Sequence, residues 1–126
     1  MAHIVLLEDN PWLGALYHQV LGKSHRVTLL RDPYAAMEAI DHDRPDLIML
    51  DIMLPGASGV QLLHELASYG DTAKIPKVLF SAALPAGLTS ETLRAYGVVV
   101  ALDKTTIRPK EVLQTVNQIV HTHANA

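Results

Sequence analysis

The stretch from Leu47 to Asp51 constrains the fold more than any other part of the chain. Four apolar residues run directly into a carboxylate, and the pattern then breaks at the Pro-Gly-Ala-Ser-Gly segment of residues 55–59. An apolar run of this length predicts a strand buried on both faces, as in a parallel sheet. Ligands bind at the carboxyl ends of such strands, so Asp51 is predicted to have a chemical role.

Length and composition favour one compact domain without disulfides. The chain has 126 residues and no cysteine, and its net charge is -3. We predict a domain over residues 1–121 and a short tail over residues 122–126. A weakly acidic chain offers no basic surface for direct nucleic acid contact or for a membrane. No apolar run reaches the length of a membrane span, which favours a cytoplasmic protein.

Five apolar runs alternate with five segments of helical spacing. The runs cover residues 4–7, 27–30, 47–50, 78–80 and 98–102, and the helices are predicted to begin at Pro11, Pro33, Ser58, Thr89 or Ser90, and Pro109. Asn10 and Asp32 stand before prolines, which is typical of a helix start. Gln61 completes a capping box with Ser58, Gly97 ends the fourth helix, and the fifth runs to about Val120. We expect Trp12 to pack in the core or at its rim.

This alternation predicts an α/β fold with a doubly wound parallel sheet and helices on both faces. The strand order 2-1-3-4-5 places the switch point between the first and third strands. Four separate stretches then converge on one crevice, and they carry Glu8 and Asp9, Asp51, Ser81, and Lys104.

The chemistry of that crevice points to phosphoryl transfer. Three clustered carboxylates repel one another and provide the hard oxygen ligands that Mg²⁺ prefers. Lys104 and the Ser81 hydroxyl supply a positive group and a hydrogen-bond donor for phosphoryl oxygens. Asp51 is the predicted nucleophile, and its product would be an aspartyl phosphate.

These residues resemble a known family. The chain is similar to the receiver domains of two-component response regulators, a flavodoxin-like fold of five strands and five helices that includes single-domain chemotaxis regulators. The matching pieces are Glu8-Asp9, Asp51 with Met53-Leu54-Pro55-Gly56 and Gly59, Ser81-Ala82, and Asp103-Lys104. The resemblance spans the whole chain, and the set in this order is specific although each piece alone is weak.

The resemblance implies a role for each site residue. Asp51 would be the phosphoacceptor, and Asp9, Asp51 and the main-chain carbonyl of Met53 would bind Mg²⁺, with Glu8 acting through water. Lys104 and Ser81 would contact the phosphoryl oxygens. The donor would be a phosphohistidine on a sensor histidine kinase or a histidine phosphotransfer protein. A regulator of this family catalyses its own phosphorylation and slow dephosphorylation, yet it is primarily a switch that acts on a downstream protein.

Three departures from the family pattern bear on switching. Thr105 stands where the family usually has proline, and Ala101 stands where a tyrosine or phenylalanine commonly reports phosphorylation. Met53 and Ala83 occupy the positions two residues after Asp51 and Ser81, and neither side chain can orient an attacking water. The resemblance therefore implies a slowly hydrolysed phosphoaspartate.

Three alternatives stay open at this point. A receiver whose switch has decayed would act as a protein-interaction scaffold without phosphate, and Ala101 and Thr105 motivate that reading. A phosphatase with an aspartate nucleophile normally has a second acid two residues later, where this chain has Met53. A flavin-binding protein would need hydroxyls and glycines after the first strand, where Glu8 and Asp9 stand instead.

Overall fold

The structure is a computed structural model, which describes residues 1–52, 59–84 and 87–124. Five parallel strands form one sheet in the order β2-β1-β3-β4-β5, which confirms the predicted order. The strands are β1 (His3–Leu7), β2 (Arg26–Leu30), β3 (Leu47–Leu50), β4 (Lys77–Ser81) and β5 (Val98–Asp103). The helices are α1 (Pro11–Gly22), α2 (Pro33–His42), α3 (Gly59–Ser68), α4 (Gly70–Ala73), α5 (Ser90–Ala95) and α6 (Pro109–Ala124).

The central strands are buried on both faces. Every residue of β1, β3 and β4 is buried, and alternate residues of each strand contribute to two separate apolar clusters. One cluster packs beneath α2, α3 and α5, and the other beneath α1 and α6. Because a strand points successive side chains to opposite faces, a continuous apolar run is what a doubly covered sheet requires.

Polar residues fix the starts of three helices as the sequence predicts. The Asn10 side chain accepts hydrogen bonds from the backbone N–H groups of Trp12 (3.0 Å) and Leu13 (3.1 Å). Asp32 caps α2 and Thr89 caps α5 in the same way. Gly97 follows α5 with a positive φ of 83°, which a residue with a side chain rarely adopts. Ser58, the predicted cap of α3, lies outside the described residues.

The described residues contain six helices where the sequence predicted five. The additional helix, α4, spans four residues, so it is too short for the helical period to show in the sequence. Tertiary contacts hold it in place: the Thr72 hydroxyl donates to the Leu66 carbonyl (2.6 Å). The Lys77 ammonium donates to the carbonyls of Thr72 (3.0 Å) and Ala73 (3.2 Å).

The last helix is longer than the sequence predicted. It continues beyond Val120 to Ala124, because no glycine or proline follows Val120 to end it. The ring of His123 also donates from Nδ1 to the Ile119 carbonyl at 3.0 Å. The boundary between a domain and a tail at residue 121 stays a prediction. Within the described ranges, no helix combines the length and the hydropathy that a bilayer span needs.

Trp12 lies elsewhere than predicted. Its side chain is 72% exposed on the first turn of α1, whereas Tyr17 on the same helix is 3% exposed and packs edge to face against Phe80. The prediction for Trp12 is wrong because its side chain lies on the face of α1 that points away from the sheet. This tryptophan, the single one of the chain, is in contact with solvent near the carboxyl edge of β1.

Lys77 is a lysine with no exposed surface, at the amino end of β4. Burial lowers its pKa from 10.5 to about 8, since the apolar surroundings disfavour the charged form. A depression of this size corresponds to a cost of roughly 3 kcal/mol in the folded state. The cost is fully present below pH 8 and disappears as the pH rises toward the value at which the unfolded lysine loses its proton.

We therefore expect stability to rise between pH 8 and pH 10 in a way that depends on Lys77. Urea unfolding should show the free energy of unfolding increasing over this range in the unmodified protein. Lys77→Met should remove most of that increase, while the matched variant of an exposed lysine, Lys23→Met, should keep it. An equally steep rise in Lys77→Met would contradict the assignment.

Candidate functional site

The candidate site lies at the carboxyl edge of four adjacent strands. Glu8 and Asp9 follow β1, Asp51 follows β3, Ser81 ends β4, and Lys104 follows β5. The structure brings the side chains of these stretches together, although they are separated by up to 96 positions along the chain. Met53, the remaining predicted site residue, lies outside the described residues.

Asp51 is the centre of this arrangement. Its carboxylate is 2% exposed, and both oxygens have partners. Oδ1 accepts a hydrogen bond from the Ser81 hydroxyl at 2.9 Å, and Oδ2 forms an ion pair with the ammonium of Lys104. The nucleophile predicted from the sequence is therefore held by a hydroxyl on one oxygen and by a cation on the other.

Ser81 has two acceptors within reach of one proton. Its Oγ lies 2.9 Å from Asp51 Oδ1 and 3.0 Å from the carbonyl oxygen of Ala83. Because a hydroxyl donates a single hydrogen, it bonds fully to one of these oxygens at a time. Ser81 thus links the carboxylate of Asp51 to the loop that follows β4.

Lys104 compensates the charge of two buried acids. Its Nζ lies 3.3 Å from Glu8 Oε2 and 3.4 Å from Oε1, in addition to its contact with Asp51. Burial lowers the pKa of Lys104, but the hydrogen bond and charge of Asp51, together with Glu8, outweigh it and the pKa is raised. Lys104 therefore stays positively charged at neutral pH.

Glu8 is a buried acid, with 1% of its surface exposed. Burial raises its pKa, while the backbone N–H of Asn10 (3.1 Å to Oε1) and the Lys104 ammonium act in the opposite direction. The neighbouring charge of Asp51 adds to the rise. The net effect is a raised pKa for Glu8 even though a cation lies beside it.

Three carboxylates of the site fit a metal ion. One oxygen from each of Glu8, Asp9 and Asp51 lies within 4.8 Å of the others, and Asp9 is partly exposed. Carboxylate oxygens are the ligands of a hard cation such as Mg²⁺, which retains several waters and binds few protein groups. No other such cluster of acids or histidines occurs in the parts of the chain that the structure describes.

Thr105 shapes the loop after β5 without displacing Lys104. Its backbone N–H (2.9 Å) and its hydroxyl (2.6 Å) both donate to Asp103 Oδ1, and these bonds lower the pKa of Asp103. A proline at this position has no N–H to donate. The backbone N–H of Lys104 meanwhile donates to the Ser81 carbonyl at 3.3 Å, which ties the ends of β4 and β5 together.

Two contributors to the site were not given a role from the sequence. Asn10 caps α1 and also donates its backbone N–H to Glu8. The Asn-Pro pattern predicts the cap but not the hydrogen bond to Glu8. Gly59 packs against the end of β3, where an added Cβ would lie 2.5 Å from Ile52 Cα and 2.9 Å from the Asp51 carbonyl oxygen. That close approach excludes any side chain at position 59.

The chain belongs to the family of response regulator receiver domains, whose family model matches residues 4–117. The transcriptional regulatory protein BaeR of Escherichia coli is 31% identical over 121 residues, which cover 93% of this chain and 47% of BaeR. The chain thus spans about half of BaeR and less than two thirds of other curated relatives.

Solved structures agree with this membership. The receiver domain of the sensor histidine kinase PA1611 from Pseudomonas aeruginosa, described with magnesium coordinated in its active site cleft, has a TM-score of 0.81 and 25% identity. That similarity covers 95% of this chain and 98% of the other. A CheY-like receiver domain from Methanospirillum hungatei shares the fold with a TM-score of 0.87 at 16% identity, over 99% and 98% of the two chains.

The raised pKa of Glu8 predicts that Mg²⁺ stabilises the protein less at low pH. A proton on Glu8 reduces the negative charge that attracts the cation, so the increase in Tm caused by Mg²⁺ should be smaller at pH 5 than at pH 7. Differential scanning fluorimetry with and without Mg²⁺ measures this increase. Asp9→Asn should abolish most of it, and Asp41→Asn, which changes an exposed acid on α2, should not. An increase that is equal at both pH values would refute the role of Glu8.

Proposed function

We propose that this chain is a phosphorylatable receiver that accepts a phosphoryl group on Asp51 from a phosphohistidine. The donor would be a sensor histidine kinase or a histidine phosphotransfer protein. The observation that carries the proposal is the state of Asp51, which is a buried carboxylate in contact with both Lys104 and Ser81 beside two further acids. Membership of the receiver family and the magnesium-bound PA1611 receiver support it.

The proposed reaction is an in-line transfer between two proteins. A carboxylate oxygen of Asp51 forms a bond to phosphorus while the phosphorus–nitrogen bond of the donor breaks, and the electron pair of that bond returns to the imidazole. The ammonium of Lys104, which now contacts the carboxylate of Asp51, would instead contact a phosphoryl oxygen. The Ser81 hydroxyl would donate to a second phosphoryl oxygen, and both groups are already within reach of Asp51.

The acidic residues would hold Mg²⁺ beside the phosphoacceptor. Asp9 and Asp51 are the proposed direct protein ligands, together with the main-chain carbonyl of Met53, and Glu8 would act through water. The bound ion would offset the negative charge of the cluster and provide a positive contact for the phosphoryl group. This assignment rests on the donor set of the three described carboxylates.

The proposed switch begins at Ser81. When its hydroxyl donates to a phosphoryl oxygen, it no longer donates to the carbonyl of Ala83, so the start of the loop over residues 82–88 loses a tether. A downstream protein that binds one loop arrangement better than the other would then read the phosphorylation state. Position 101, on β5, is an exposed alanine. The aromatic side chain that commonly reports phosphorylation in this family is therefore missing from this position.

A scaffold that acts independently of phosphate is the second candidate. Ala101 is the observation that favours it, since the position lacks the side chain that usually transmits the signal. Thr105, which motivated the same reading, instead leaves Lys104 in contact with Asp51. This contact supports the phosphorylatable receiver, which we rank first.

Incubation with acetyl phosphate and Mg²⁺ should add one phosphate to Asp51, which mass spectrometry of the intact protein and its peptides would locate. Asp51→Asn should remain unmodified, and Lys104→Met should react many times more slowly because the phosphoryl charge is no longer compensated. Asp41→Asn serves as the matched control and should react normally. Absence of modification, together with no change of Trp12 fluorescence on addition of beryllium fluoride, would favour the scaffold.

The phosphorylated protein should lose its phosphate slowly. Ala83 has no functional group to position an attacking water, and the thioether of Met53 is a poor hydrogen-bond partner. After removal of acetyl phosphate, we expect the phosphoaspartate to persist for many minutes in the presence of Mg²⁺, as followed by mass spectrometry. Met53→Glu or Met53→Asn should shorten this lifetime. A lifetime of seconds in the unmodified protein would overturn the prediction.

A further inference from the structure

A second concave site lies at the opposite end of the sheet from Asp51. Two cavities of about 680 and 340 Å³ adjoin along the amino ends of β3, β4 and β5. Both are lined by Lys74, Ile75, Pro76 and His123, so we treat them as one feature and call it the basal groove. The larger cavity has the volume of a typical small-molecule site.

The rim of the basal groove is positively charged. Arg44 lines the larger cavity, Arg94 lines the smaller one, and Lys74 lies between them in both. In the part of the chain that the structure describes, no carboxylate lies within 4.0 Å of any of these three side chains. Asp46 is the one acidic residue of the lining, and its Oδ2 already accepts a hydrogen bond from the backbone N–H of His3 at 2.8 Å.

A buried cation adds to this positive field. The Nζ atom of Lys77 donates to the carbonyl of Ala73, a residue that lines the smaller cavity, so an ammonium lies directly behind the wall of the groove. Burial keeps the charge of Lys77 from being solvated by water. An anion bound in the groove would compensate the charge of Lys77, which forms no ion pair with any carboxylate that the structure describes.

The floor of the basal groove is apolar. Ile75 and Pro76 are buried, and the side chain of Val120 on α6 is partly buried beside them. The ring of His123 borders this floor and is oriented by its hydrogen bond to the Ile119 carbonyl, which engages Nδ1 and leaves Nε2 for another partner. A ligand that fits such a lining combines an anionic group with an apolar or planar body.

We propose that the basal groove binds a small organic phosphate, with the phosphate at the Arg44–Lys74 rim and the organic body on the Ile75–Pro76 floor. The guanidinium of Arg44 matches two phosphate oxygens at once, and Lys74 supplies a point charge. This site is separate from the acidic cluster around Asp51, which attracts cations instead. It is independent of the proposed phosphotransfer, because none of its residues takes part in that reaction.

The test is a titration of isotope-labelled protein with pyrophosphate, AMP and ATP, each in EDTA so that no divalent cation occupies the acidic cluster. We expect saturable shifts of the backbone amides of Lys74, Ile75 and Val98, with AMP bound more tightly than pyrophosphate because its base covers the apolar floor. Arg44→Glu and Lys74→Glu should each weaken AMP binding at least tenfold. Lys23→Glu, an equal change of charge at an exposed residue just after α1, should change it less than twofold.

Any of three results of this titration would overturn the proposal. They are the absence of saturable shifts up to 10 mM of all three probes, equal weakening by Lys23→Glu, and shifts confined to residues around Asp51. Arg44→Gln and Lys74→Gln provide gentler variants whose amide spectra confirm an intact fold. If these two bind AMP as tightly as the unmodified protein, the rim has no role in binding and the assignment fails.

Discussion

The ion pair between Lys104 and Asp51 is the interaction on which the rest of the site depends. Two carboxylates that are almost completely buried, Glu8 and Asp51, lie beside each other, and a single ammonium contacts both. Without it, buried like charges would repel and at least one acid would take up a proton. The ammonium of Lys104 therefore offsets the charge of both acids, and it links the residues that follow β1, β3 and β5. A metal ion and a phosphoryl group would each enter a site whose charges are already arranged for them.

The sheet provides the rigidity that this arrangement needs. Side chains on neighbouring strands meet at one edge only if the strands stay in register, and the pairing of β1, β3 and β4 places Leu7, Leu50 and Leu79 side by side just before the site. Two apolar clusters fix the sheet from both faces, and the polar residues at its edge lie outside both of them. The opposite edge of the same sheet is bordered by lysine and arginine side chains. The same sheet thus has an acidic end and a basic end, and the ligands proposed for the two ends carry charges of opposite sign.

Sequence reasoning found the strands, their order and the residues that meet at the acidic edge because the signals are local. An apolar run, an Asn-Pro pair and a carboxylate after a strand each act within a few residues, and topology rules then bring them together. What it missed depends on contacts between distant positions. The helix α4 exists through the bonds of Thr72 to Leu66 and of Lys77 to Ala73, and no pattern in four residues indicates it. The exposure of Trp12 and the turn between Asp103 and Thr105 depend likewise on three-dimensional surroundings. The roles of Glu8, Asp9, Asp51, Ser81 and Lys104 stay predictions, although their placement is now known.

Gly59 has a mechanical consequence for any signal that starts at Asp51. Its backbone N–H donates to the Ile52 carbonyl at 3.2 Å, and its Cα lies so close to Ile52 that no side chain fits between α3 and the end of β3. The backbone of Asp51 and Ile52 is therefore in close contact with the start of α3 and has no room to move toward that helix. If Asp51 is phosphorylated as proposed, any displacement of the new group would be directed away from α3, toward the side of the site where Ser81 and Lys104 contact Asp51. The direction left open to such a displacement would thus depend on a residue that has no side chain.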